Sequence, residues 1–96
     1  MDHLTIIKNY LKDQPVRKAY LFGSYSRGEQ DSTSDLDLLV ELEDHVGLYQ
    51  FVAIQIGLES LLGTKVDLVS ENGLSSRLRP YIDRDKKLIY ERVYRR

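Results

Sequence analysis

Cysteine and tryptophan are absent from this 96-residue chain, and proline occurs only at positions 15 and 80. Without thiols there is no disulfide framework, thiolate zinc site or cysteine nucleophile. The two histidines, His3 and His45, lie in no recognisable motif, so a histidine metal site or a Ser-His-Asp arrangement has no support. Both read as surface residues. No apolar run approaches the roughly 18–20 residues of a membrane span. The first residues mix Asp2, His3 and Lys8 among aliphatics, which is not a signal-peptide pattern. The cytoplasm is therefore the expected compartment. Repeats, low-complexity tracts and interdomain linkers are missing as well.

What is present is ordinary for a globular protein: 42% hydrophobic and 30% charged residues. The length predicts one domain, 1–96, with a modest core and no room for a second substrate-binding lobe. A net charge of −1 conceals an asymmetry: residues 1–73 hold 6 Lys/Arg against 12 Asp/Glu, and residues 74–96 hold 8 against 3. The basic end could meet the chain's own acidic surface, an acidic partner protein or RNA, although a short basic tail is more often simply solvated. Direct nucleic-acid binding is not expected.

Periodicity predicts a helix over 3–13, capped by Asp2 and ended by Gln14-Pro15, then a buried strand over 16–22 broken by Gly23. A short helix over 24–28 and a polar loop precede a strand over 34–41. Residues 48–62 are helical and end at Gly63, with an apolar surface wider than a one-sided stripe. Either another helix also covers this one, or it presents an interface to a partner or a second copy. Residues 65–70 form a third strand, 74–84 a helix that Pro80 bends or starts, and 88–90 a short strand or helical turn.

The chemistry concentrates in Gly23-Ser24-Tyr25-Ser26-Arg27-Gly28 and Ser34-Asp35-Leu36-Asp37-Leu38-Leu39-Val40. A glycine turn opening a helix suits phosphate oxygens, because backbone N–H groups and the positive dipole end face the anion. Asp35 and Asp37, two apart on an extended segment, point the same way, with Leu36, Leu38 and Val40 on the other face. Close carboxylates repel unless a divalent cation lies between them, and hard cations such as Mg²⁺ take oxygen ligands. Asp67, facing away from Val66 and Leu68 on the next strand, adds a third carboxylate. Arg27 could reach phosphate or brace the site through Asp35, Asp37 or Glu29. Ser34 reads as a cap at the strand start and Ser26 as a small polar filler.

In this order and spacing, the Gly-Ser, Arg-Gly and Ser-Asp-Leu-Asp-Leu-Leu-Val elements resemble the signature of the polymerase-β-type nucleotidyltransferases, most of all their minimal branch, the MNT proteins. The likeness runs from about Leu4 to Tyr90. It implies an α/β fold: a small mixed sheet of three or four strands with helices mainly on one face. It also implies AMP transfer from ATP to a hydroxyl with release of pyrophosphate, supported by two Mg²⁺ ions or by Mn²⁺. Carried over by position, Asp35, Asp37 and Asp67 are metal ligands and catalytic residues, with Asp67 also the base, and Gly23, Ser24 and Arg27 bind nucleotide. Minimal members commonly pair with HEPN toxins and adenylylate a toxin tyrosine, so the resemblance implies an antitoxin, as a hetero-oligomer with its partner or as a homo-oligomer. Two other readings stand beside it. One is an antitoxin acting by contact alone; the other is an Mg²⁺-dependent phosphohydrolase or nuclease, which needs no Gly-Ser helix start.

Overall fold

Asp2 starts the fold as expected: its Oδ1 accepts the Thr5 N–H at 2.8 Å and caps α1, His3–Leu11. The structure, a computed structural model, describes residues 2–94. β1 (Val16–Phe22), α2 (Ser24–Arg27), β2 (Leu36–Leu42), α3 (Leu48–Leu62), β3 (Val66–Ser70), α4 (Arg79–Asp85) and β4 (Lys87–Glu91) follow. The sheet order is β3-β2-β1-β4. β1 runs antiparallel to both β2 and β4, while β2 and β3 are parallel and joined through α3, so the sheet is mixed.

Alternation along the strands divides the molecule into two layers. Ala19, Leu21, Leu36, Leu38, Val40, Val66 and Leu68 turn to one face, where Ile7 and Leu11 of α1 and Ile54 and Leu58 of α3 bury them. Leu39 turns to the other face and is also fully buried, outside this cluster. That second face carries α4, whose Ile82 is its buried residue. Two long helices thus cover one face and a single short helix the other. The face with little cover is the one that carries the aspartates.

Several boundaries differ from the sequence expectation for identifiable reasons. α1 stops at Leu11, and Arg92 Nη2 satisfies the carbonyls past its end, donating to Leu11, Lys12 and Gln14 at 3.3, 3.0 and 2.6 Å. Part of the basic end is therefore not a solvated tail; residues 95 and 96 lie outside the described residues. β2 begins at Leu36, leaving Asp35 in the loop just before it. Pro80 sits in the first turn of α4, where its missing N–H is harmless, so the helix starts at Arg79 instead of 74. Residues 88–90 resolve as part of a strand, β4.

On α3, Leu48, Tyr49, Val52, Ile56 and Leu61 remain exposed, so among the described residues no other helix covers that side. Its inner side approaches α1 closely: a Cβ on Gly57 would lie 2.7 Å from Tyr10 Cζ. Gly57→Ala should therefore lower stability by about 1 kcal/mol, although alanine is normally favoured inside helices by a similar amount. In a Tyr10→Ala background the same change should raise stability. Urea unfolding of the four chains checks both signs.

Candidate active site

The site grows from the end of β1. Gly23 has φ +73° and ψ −154°, a conformation open essentially to glycine alone. A Cβ there would overlap the Asp37 carboxylate, so the backbone of the turn lies directly against that side chain. α2 begins at Ser24 and closes after four residues on Gly28, at φ +70°. Ser26 is more than a filler: it is buried, and its hydroxyl donates to the Gly23 carbonyl at 2.9 Å, fastening the turn. In the loop before β2, Ser34 Oγ accepts the Asp31 N–H at 3.0 Å and Asp31 Oδ1 accepts the Thr33 N–H at 2.8 Å. That loop delivers Asp35 to the start of the strand.

Cross-strand register does the rest. Phe22 pairs with Asp37 on one side, and Asp37 pairs with Asp67 on the other, placing the two carboxylates side by side on the α4 face. A cleft of about 380 Å³ opens there, lined by Gly23, Arg27, Asp37 and Asp67 and, from α4 and its approach, by Leu78, Tyr81, Arg84 and Asp85. Ser24 and Asp35 do not line it; Asp35 stands exposed at its edge. Burial, then the charges of Asp67 and Asp35, push the Asp37 carboxyl up to about 6 against the opposing pull of Arg27.

Arg27 makes two ion pairs, 2.7 Å to Glu29 and 2.5 Å to Asp85. It joins α2 to α4 across the cleft through Asp85, a partner 58 positions away in the chain. A larger cavity of about 550 Å³ lies elsewhere, lined by Arg17, Glu43, Asp44 and His45. It contains none of the signature residues, and Arg17 is paired there with Glu43 and Asp44. Neither it nor the two histidines contribute to the aspartate cleft.

Among the described residues, no three His, Cys, Asp or Glu side chains stand as a ready-made metal cage. The donor set nevertheless fits Mg²⁺, which typically takes one or two carboxylates and completes its shell with water and substrate phosphates. Burial is the first cause of the raised Asp37 carboxyl and the Asp67 and Asp35 charges the second, so a cation held between these oxygens would relieve part of the rise.

Over residues 5–95 the chain matches the polymerase β nucleotidyltransferase family. The chain belongs to this family. Protein adenylyltransferase MntA of Thermococcus cleftensis is 43% identical over 74 residues, spanning 76% of this chain and 75% of the relative. A chain from a toxin–antitoxin complex crystallised with AMP-PNP superposes with a TM-score of 0.81 at 30% identity, covering 96% of this chain and 75% of that one. A complex of a tri-AMPylated Shewanella oneidensis HEPN toxin with its MNT antitoxin gives 0.74 at 26% identity, covering 94% and 71%. The four-stranded mixed sheet is that of the nucleotidyltransferase core, and the chain is a minimal member of the family.

Sequence reasoning missed the α4 wall of this nucleotidyltransferase. Leu78, Tyr81, Ile82 and Asp85 fall at i, i+3, i+4 and i+7, a visible helical stripe. Nothing in the spacing says which sheet face the stripe covers.

Proposed function

We propose that this nucleotidyltransferase moves AMP from ATP to a tyrosine hydroxyl of a HEPN toxin, and that it acts thereby as the toxin's antitoxin. One observation carries the reading: Gly23, Asp37 and Asp67, from three separate strand ends, meet in one cleft. The names of the similar proteins, a protein adenylyltransferase and an MNT antitoxin beside an AMPylated toxin, favour protein as acceptor.

In this mechanism the Gly23-Ser24 turn positions the triphosphate by backbone contact, which the bare Cα of Gly23 allows. Asp35, Asp37 and Asp67 would hold Mg²⁺. When bound, the metal neutralises phosphate charge and acidifies the attacking hydroxyl. Asp67, exposed at the open side of the pair, takes the proton from the acceptor hydroxyl. The acceptor oxygen bonds to the α-phosphorus as the bond to the β-phosphate oxygen breaks, and pyrophosphate leaves. Arg27 holds α4 over the cleft through Asp85. Positioning and charge compensation dominate such transfers, so few side chains suffice.

The test is label transfer from α-labelled ATP with Mg²⁺ to the co-purified HEPN partner, with γ-labelled ATP and Asp35→Asn as controls. Label should reach the partner from the α-position only and fall about a thousandfold in the variant. A partner that co-purifies but stays unlabelled with both Mg²⁺ and Mn²⁺ would replace this reading with neutralisation by contact.

A further inference from the structure

The cleft contains three carboxylates, Asp37, Asp67 and Asp85, and two guanidinium groups, Arg27 and Arg84. Arg27 is occupied twice, by Glu29 and Asp85, which also accounts for the Asp85 charge. Arg84 is different. Among the described residues it enters no ion pair, although it lines the same cleft as Asp37 and Asp67. Its guanidinium instead rests over the Tyr81 ring, 5.6 Å from the centroid. That contact steadies the group without neutralising it, and Tyr81 itself is 63% exposed on the cleft wall.

Resting on the reading of this cleft as an ATP site, we infer that Arg84 binds the β- and γ-phosphates and selects a triphosphate over a monophosphate. The charges argue for this ligand. An anion entering beside Asp37 and Asp67 is repelled unless a cation accompanies it, and a metal-bound polyphosphate brings its own. The oxygens of that polyphosphate beyond the metal then need donors. A planar guanidinium offers paired N–H groups matched to phosphate, and one that carries no carboxylate can engage them without first breaking an ion pair. Arg84 projects from α4, the element that closes the cleft opposite the carboxylates, so the nucleotide would lie between the two. The side chain thereby acts on substrate and helps to hold the leaving pyrophosphate.

Calorimetric titration with Mg²⁺ and the α,β-methylene analogue of ATP, in parallel with AMP, tests this without requiring turnover. Arg84→Ala should weaken binding of the triphosphate analogue about tenfold or more, and AMP binding less than twofold. Arg84→Lys should fall between wild type and Arg84→Ala. Because Arg84 is exposed, its variants should melt like wild type. Unchanged triphosphate affinity in Arg84→Ala, or equal losses for both ligands, would overturn the assignment of Arg84 alone. Failure of the wild-type chain to bind the analogue would overturn the ATP-site reading as well.

Discussion

Asp37→Asn should raise the melting temperature of the metal-free chain at pH 7 while reducing AMP transfer about a thousandfold or more. Both effects have one cause. Burial and the neighbouring charges of Asp67 and Asp35 raise the Asp37 carboxyl from 3.8 to about 6. Between these values the folded chain holds more protons than the unfolded one, so the stability of the metal-free protein falls as pH rises through that window. Above it the loss is complete. Asparagine keeps the shape and removes the charge, which should return about 1 kcal/mol after solvent screening, or about 4–8 °C for a domain this size. Added Mg²⁺ should stabilise the wild type and leave the variant nearly unmoved, because the cation that repaid the repulsion has lost a ligand. Thermal melts from pH 4 to 8, with and without Mg²⁺ and alongside the transfer assay, check every part. A variant less stable than wild type at pH 7 would mean that the Asp37 charge stabilises the fold.

Gly23→Ala should cost about 3 kcal/mol of stability and lower AMP transfer about a hundredfold. Alanine strongly disfavours φ +73° with ψ −154°, and its methyl would overlap the Asp37 carboxylate. Either the turn reshapes or Asp37 moves, and each displaces a group that the reaction needs within about 1 Å. Gly28→Ala is the matched control. Gly28 also has a positive φ, +70°, but a Cβ there meets nothing within 4 Å. Its replacement should cost about 1 kcal/mol and leave transfer within a few-fold of wild type. Equal losses of activity at the two glycines would show that strain, not contact with Asp37, sets the requirement.

Much of the candidate site was legible because its parts are local. Gly23 after an apolar strand, the spacing of Asp35 and Asp37, and the isolation of Asp67 between Val66 and Leu68 are all chain-neighbour patterns. Alternation also placed Leu36, Leu38 and Val40 in the core, where they are buried. Leu39 shows the limit of that reading. It shares a face with Asp37 and yet is fully buried, which alternation along the strand does not foretell. Asp35 and Asp37 likewise share a direction in sequence but not an environment: one is exposed in a loop, the other half-buried in the sheet.

The glycine turn, the aspartate pair, the third carboxylate and the α/β order of elements are all readable from the chain, because each follows from a residue and its neighbours within a few positions. Tertiary structure alone decided that Asp67 lies beside Asp37, that Arg27 is tied to Asp85, and that Arg84 faces the carboxylates from α4. These pairings join segments separated by up to 58 positions. They arise from parallel strand register and from the docking of a short helix whose stripe fits either face of a sheet, and such contacts leave no periodic trace in the chain that makes them.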